Sequence, residues 1–146
     1  MEVHIDSFMH SGQLKYLLKL IDEQTAEVRR KHEMKKAEID IIYFLSRCDG
    51  NNTSTDIHHQ LAMNRGQISQ TVESLCRRGM LTAIPDQMDR RYIHYRLTDA
   101  AQEIAQEVAQ VWQSISGGVF EGITPQEMDT FYAVSQKIAK NLEQAK

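Results

Sequence analysis

The fold is decided by one continuous stretch, residues 64–98, which reads NRGQISQTVESLCRRGMLTAIPDQMDRRYIHYRLT. In its first half the apolar residues Ile68, Val72 and Leu75 recur at the spacing of one helix face. Gly79 follows them and is a typical stop signal for a helix. After Gly79 the spacing changes to the alternation that is typical of β-strands. The stretch therefore predicts one helix followed directly by extended structure.

The extended part is predicted to be a β-hairpin. Residues 80–84 form a short apolar run, and residues 92–97 alternate between apolar and polar side chains. The segment between them, residues 85–90, contains proline and two aspartates, which favour turns. An acid and two arginines, Asp89, Arg90 and Arg91, therefore stand at the tip of the hairpin.

A second short helix is predicted just before the stretch. Thr53 can cap its start, with Asp56 three residues further on, as in a capping box. Asn64 is in turn a good N-cap for the following helix. Because only a few residues near Ala62 and Met63 separate the two helices, the sequence predicts a helix-turn-helix.

Longer helices are predicted on both sides of this core. Residues 7–30 show an amphipathic pattern, and residues 35–47 are apolar nearly all round. A further helix starts after Thr98, and the sequence Ser-Gly-Gly at residues 116–118 is expected to weaken or end it. A proline-containing capping box begins the last helix, which extends over residues 124–144. The expected fold class is mainly α with one small β-hairpin, an α+β arrangement.

Length and composition fit one globular domain, residues 1–146. The chain is 41% apolar and 25% charged, which is ordinary for such a protein. No apolar run approaches the roughly 18 residues of a membrane helix, and the first ten residues lack the basic region of a secretion signal. We therefore expect a cytoplasmic protein with no membrane partner.

The residue types that carry catalysis or bind metals form no recognisable pattern. Cys48 and Cys76 are far apart and are expected to be reduced, partly buried thiols. His58 and His59 are adjacent, so on a helix they point about 100° apart and do not form a metal pair. Neither a nucleophile–base signature nor a phosphate-binding glycine loop is present in the sequence. The sequence predicts no enzyme, no cofactor and no metal.

Charge is distributed unevenly along the chain. The net charge is −3, yet residues 53–97 hold six arginines against four acids, a formal charge of +2. All the lysines lie in the remainder, which carries −5. Arginine binds phosphates and base edges well, because its planar guanidinium presents several donors.

The middle of the chain resembles the winged helix-turn-helix core of the multiple-antibiotic-resistance regulator (MarR) family. The resemblance rests on the pattern Asp89-x-Arg91, the closing Leu97-Thr98, and the order of the flanking helices. It implies a winged helix-turn-helix flanked by N- and C-terminal dimerisation helices. The implied boundaries are residues 48–98 for the DNA-binding core, and residues 7–34 and 99–146 for the dimerisation helices.

The resemblance implies a homodimeric regulator of transcription, usually a repressor that a small aromatic effector releases. A recognition helix at about residues 65–78 would enter the major groove of a pseudo-palindromic operator in double-stranded DNA. The wing at about residues 85–92 would enter the minor groove. There Asp89 would orient an arginine of the wing, and Arg91 would reach into the groove. The candidate DNA contacts are Ser54, Arg65, Gln67, Ser69, Gln70, Ser74, Arg77, Asp89, Arg90 and Arg91.

Each assignment has a simpler alternative. Gln67 can serve the cap of its own helix, and Arg77 can be an ordinary solvated charge near a helix end. The hairpin tip can be a solvated ion pair, and the terminal helices can pack within one chain. The candidate effector contacts are Tyr16, Met34, Tyr43 and Trp112, which can equally be packing residues. A winged helix that binds a protein partner instead of DNA is the alternative function.

Overall fold

The computed structural model describes residues 13–145. It contains six helices and one antiparallel hairpin of two strands within that range. The elements are α1 (Gln13–His32), α2 (Lys36–Leu45), α3 (Ser54–Gln60), α4 (Arg65–Arg77), β1 (Leu81–Pro85), β2 (Ile93–Leu97), α5 (Asp99–Val119) and α6 (Pro125–Gln144). The expected fold class, mainly α with one small hairpin, is confirmed. The predicted start of the first helix, residues 7–12, lies outside the described residues.

The chain divides into two compact units, one up to Gln113 and one from Ser114 onward. The core of the first unit is formed by branched aliphatic side chains from α2, α3, α4 and α5. The most deeply buried of these are Ile41, Ile42, Ile57, Ile68, Leu75, Ile104 and Val108. Burial of such side chains is the main stabilising contribution to the fold, at roughly 25 cal/mol per Å² of apolar surface.

The helix-turn-helix forms where the capping residues predict it. The hydroxyl of Thr53 accepts a hydrogen bond from the backbone amide of Asp56, and the Asp56 carboxylate accepts one from the amide of Thr53. Asn64 accepts a hydrogen bond from the amide of Gln67 at 2.8 Å and begins α4. Both predicted N-caps are therefore confirmed.

Helix α4 ends where glycine allows the backbone to turn back. Gly79 has φ +72°, a left-handed conformation that glycine adopts without strain. Its amide donates to the carbonyl of Cys76, and the amide of Met80 donates to the carbonyl of Leu75 at 2.9 Å. This is the hydrogen-bond pattern of a Schellman motif, which ends a helix and redirects the chain into β1.

The hairpin is shifted slightly from its predicted bounds. Its register pairs Leu81 with Leu97 and Pro85 with Ile93. The first strand begins one residue later than predicted, because both backbone groups of Met80 serve other contacts. Its amide closes the end of α4, and its carbonyl accepts from the amide of Thr98 at 3.0 Å.

The second unit contains the end of α5 and all of α6. Helix α5 continues through Gly117 and Gly118 to Val119, so the expected weakening at residues 116–118 does not end it there. Glycine costs a helix about 1 kcal/mol but keeps the backbone hydrogen bonds, so one last turn can include it. The chain turns at Gly122, with φ +81°, and the predicted capping box of Thr124 begins α6. None of the described helices combines the length and the apolar character that crossing a bilayer requires.

Candidate nucleic-acid interface

Helix α4 has one buried face and one exposed face. Ile68, Val72 and Leu75 lie in the core, as their spacing predicts. On the other side, five of the candidate contact residues present exposed side chains to solvent. They are Arg65, Gln67, Ser69, Gln70 and Arg77. The exposed face therefore carries side chains that can form hydrogen bonds with base edges and phosphates.

Ser74 does not belong to that exposed face. Its side chain is half-buried, and its hydroxyl donates to the Glu38 carboxylate at 3.2 Å. Ser54, the first residue of α3, is also half-buried. Arg77 is exposed and pairs with Glu73 one turn earlier, at 2.9 Å. The structure thus brings only part of the predicted set onto one open surface.

A buried carboxylate fastens the end of α4 to the rest of the domain. Glu38, near the start of α2, is 5% exposed and accepts hydrogen bonds from Ser74 and from Arg78 at 3.0 Å. The other end of the Arg78 guanidinium donates to the carbonyl of His32 at 2.9 Å. Glu38 also accepts from the amide of Lys35, which completes the cap of α2. These contacts fix the direction of α4, and sequence reasoning missed them because the partners are 36 and 40 residues apart.

The tip of the hairpin holds a tight ion pair. The guanidinium of Arg91 donates to both carboxylate oxygens of Asp89, with a shortest distance of 2.7 Å. The backbone amide of Arg91 donates to the same carboxylate at 3.1 Å. These bonds to Arg91 lower the pKa of Asp89 below its usual value. The Arg91 side chain is 86% exposed, so its guanidinium is oriented yet open to solvent.

The base of the hairpin loop is organised by Asp86. One of its carboxylate oxygens accepts from the amides of Met88 and Asp89, both at 2.9 Å. The other lies 2.8 Å from Nε2 of His94, and that hydrogen bond is the main reason why the pKa of Asp86 is lowered. Nδ1 of His94 lies 2.6 Å from the side-chain oxygen of Asn52. Sequence reasoning missed this cluster, although an aspartate that begins a turn is a known signal for such amide contacts.

A cavity of about 390 Å³ lies between α1, α2, α3 and α5. Tyr43 and Trp112 line it and stack with their ring centres 5.7 Å apart. Arg47, also in the lining, lies over the Tyr43 ring at 5.4 Å. The other two candidate effector contacts lie elsewhere, since Met34 is buried in the core and Tyr16 is 72% exposed. Among the described residues, no group of three histidine, cysteine, aspartate or glutamate side chains could hold a metal ion.

Residues 34–101 match the family model described as "Winged helix DNA-binding domain". The chain is also 34% identical over 55 residues to the transcriptional regulator AdcR of Streptococcus pneumoniae. That match spans 38% of this chain and 38% of AdcR, so it covers well under half the length of that relative. This match supports the winged-helix domain, and the rest of AdcR lies outside it.

Two solved structures have the same fold. A MarR/EmrR family transcriptional regulator from Acinetobacter sp. ADP1 superposes with a TM-score of 0.75 at 19% identity, over 97% of this chain and 99% of that one. A mutant of MarR from E. coli, complexed with operator DNA, gives a TM-score of 0.65 at 16% identity, over 93% and 99% of the two chains. Both matches are to transcription regulators, and at under 25% identity they show a shared fold. The chain therefore has a winged-helix fold, and residues 34–101 match the model of a winged helix DNA-binding domain.

Proposed function

We propose that this protein is a sequence-specific DNA-binding regulator of transcription that acts as a homodimeric repressor. The observation that carries the proposal is the pairing of two open polar surfaces in one domain. One is the exposed face of α4, and the other is the oriented, solvent-exposed guanidinium of Arg91 at the hairpin tip. A helix of this kind fits the major groove, and an extended arginine fits the narrow, strongly negative minor groove.

In this proposal the residues divide by role. Gln67 and Gln70 read base edges, since glutamine can bond adenine through two hydrogen bonds. The hydroxyl of Ser69 and the guanidinium groups of Arg65 and Arg77 bind phosphates, together with Ser54 at the start of α3. In the wing, Arg90 and Arg91 bind the minor groove, and Asp89 holds Arg91 extended. Because Ser74 is bonded to Glu38, we assign it to holding α4 in place and not to contacting DNA.

A second copy of the chain is proposed to cover the apolar face of α6. This 20-residue helix buries none of its own residues. Phe131, Tyr132, Ile138 and Leu142 are between 42% and 63% exposed, which is unusual for so many large apolar side chains on one helix. A symmetric dimer would present two α4 helices to successive major grooves, which explains a pseudo-palindromic operator with half-sites about one helical turn apart.

The dimer is testable by a matched pair of substitutions on α6. Phe131→Lys places a charge on the apolar face, whereas Gln136→Lys places the same charge on an exposed polar position. Sedimentation equilibrium should show a dimer for the wild type and for the Gln136 variant, and mostly monomer for the Phe131 variant. Monomeric wild-type protein at micromolar concentration would contradict the proposed dimer.

The cavity lined by Tyr43 and Trp112 is proposed to take the effector. Its aromatic stack and the neighbouring guanidinium of Arg47 suit a planar aromatic acid. Trp112 is the single tryptophan of the chain, so its fluorescence reports on this cavity. Benzoate and phenol should quench it in a saturable way, and Tyr43→Ala should weaken that quenching. Release of bound DNA by the same compound would link the cavity to repression.

The central experiment is selection of bound duplexes from a random pool, followed by fluorescence-anisotropy titration at two salt concentrations. Wild-type protein should enrich a palindrome, and its affinity should fall steeply with salt because phosphate contacts release counterions. Arg91→Ala should weaken binding at least about fivefold with unchanged thermal stability. The matched control is Arg30→Ala, an exposed arginine of α1 outside the DNA-binding domain, which should bind like the wild type.

A protein partner is the second candidate function. Met88 and Tyr92, next to the hairpin tip, are 96% and 53% exposed, and apolar side chains of this kind anchor protein interfaces. If the selection enriches no sequence and both arginine variants bind weakly and alike, the DNA proposal fails. A protein partner that binds the wild type saturably, and Met88→Ala with lower affinity, would then support this second function.

A further inference from the structure

The histidine at the base of the wing lies between two oxygen atoms. Nε2 of His94 is 2.8 Å from a carboxylate oxygen of Asp86, and Nδ1 is 2.6 Å from the side-chain oxygen of Asn52. We propose that His94 is the positioning residue of the wing, and that its ring, bonded through both nitrogens, clamps the wing loop to the segment that begins α3. Its effect on DNA binding rests on the function proposed above, whereas its hold on the loop does not.

Both partners of the ring suit an imidazole nitrogen. A carboxylate oxygen only accepts hydrogen bonds, so the ring donates from Nε2 to Asp86. The side-chain amide of Asn52 carries both a donor and an acceptor, so it bonds to Nδ1 in either orientation. The ring is therefore held at both ends whichever way that amide is turned.

The clamp acts on the loop that carries the DNA-contacting arginine. Asp86 accepts from the amides of Met88 and Asp89, and Asp89 in turn holds Arg91. A continuous series of hydrogen bonds thus leads from His94 to the guanidinium at the tip. Each bond in the series fixes the direction of the next group, so a movement of Asp86 would turn Arg91 away from its present direction.

The other side of the clamp is attached to the helix-turn-helix. The carbonyl of Asn52 accepts from the amide of Tyr95 at 3.0 Å, and Thr53 forms an isolated β-bridge with His94. Thr53 is also the residue that caps α3. The wing is therefore joined to the start of α3 by backbone and side-chain contacts together, and the two move as one piece.

The test has a spectroscopic part that needs no DNA. In the full-length protein, nitrogen-15 spectra should show Nε2 of His94 carrying a proton that is hydrogen-bonded to Asp86. In His94→Gln, the amides of Met88 and Asp89 should exchange with solvent several-fold faster, because Asp86 is no longer held. Unchanged exchange in the variant would overturn the proposal.

A second variant protects the test against a folding defect. Asp86→Asn retains the shape of the side chain but removes its charge, so its bonds to the ring and to the amides of Met88 and Asp89 should weaken and these amides should again exchange faster. His59→Gln is the matched control, since it removes an exposed histidine of α3 and should leave the His94 spectrum and the loop amides unchanged. Loop amides that exchange in Asp86→Asn as in the wild type would also overturn the proposal.

The last arm connects the clamp to DNA. On a duplex from the selection, His94→Gln should bind about three- to tenfold more weakly than the wild type, while His59→Gln should bind like the wild type. If the ring and exchange results hold but the wild type binds no DNA, the positioning role stands and the proposed function fails.

Discussion

Removing the buried carboxylate of Glu38 should destabilise the protein by about 2–3 kcal/mol. In Glu38→Ala, the helix cap at Lys35 is lost, at about 1 kcal/mol, and Ser74 and Arg78 lose their charged acceptor. Breaking a fully buried ion pair costs about 3–5 kcal/mol. The Arg78 side chain is 33% exposed and can turn partly to water, which reduces that cost.

The chain contains its own control for this prediction. Glu73 and Arg77 form an ion pair of similar length, at 2.9 Å, but both side chains are 67% exposed. Glu73→Ala should therefore cost no more than about 0.5 kcal/mol.

Urea denaturation at one fixed protein concentration, followed by helical circular dichroism, should move the midpoint by about 1–2 M for Glu38→Ala and only slightly for the control. If the midpoints of Glu38→Ala and Glu73→Ala agree within error, burial does not decide the strength of these ion pairs and the reasoning is wrong.

Other consequences can be checked on the same protein. Hydrogen bonding from Lys31 holds the pKa of Glu107 below its usual 4.5, so this carboxylate stabilises the fold above that pH and the contribution is lost as pH falls through the lowered pKa. Glu107→Gln should accordingly show a smaller loss of unfolding free energy between neutral pH and pH about 3 in acid titrations of stability. Burial raises the pKa of the Cys76 thiol above 9.0, so iodoacetamide at neutral pH should modify it more slowly in the folded protein than in urea. Equal rates in the two states would show that Cys76 is open to solvent. Gly117→Ala should raise the unfolding free energy by about 0.5–1 kcal/mol, since a Cβ there meets nothing within 4 Å. A lower unfolding free energy in calorimetry would contradict this prediction.

Local signals allowed most of the elements to be predicted from the sequence. Capping residues such as Thr53, Asn64 and Thr124 act on amides two or three residues away, so their effect is visible in a short window. Gly79 likewise marks the end of α4 within its own turn. Some boundaries differ from the prediction. Helix α5 continues through residues 116–118, because two glycines weaken a helix without removing its hydrogen bonds, and β1 begins one residue late.

The candidate site could be predicted only in part. The exposed side of α4 follows from helical periodicity, and the ion pair of Asp89 and Arg91 joins residues two apart. The contacts of Ser74 with Glu38 and of His94 with Asn52 join residues 36 and 42 positions apart. Periodicity gives the side of a helix on which a residue lies, but it cannot identify a distant partner. The bond of the Ser74 hydroxyl to Glu38 could therefore not be predicted from the sequence.

The fastening of α4 has a consequence for how this protein can change its target over evolutionary time. Apart from the N-cap Asn64, the residues that hold the helix in place lie on its inward side or just after its last turn, as Ile68, Leu75 and Arg78 do. The exposed positions, among them Gln67 and Gln70, take no part in that support. In the function proposed above, substitutions at these positions alter the preferred operator while stability stays nearly constant. New sequence preferences are therefore accessible through single mutations that do not first have to be compensated elsewhere in the domain.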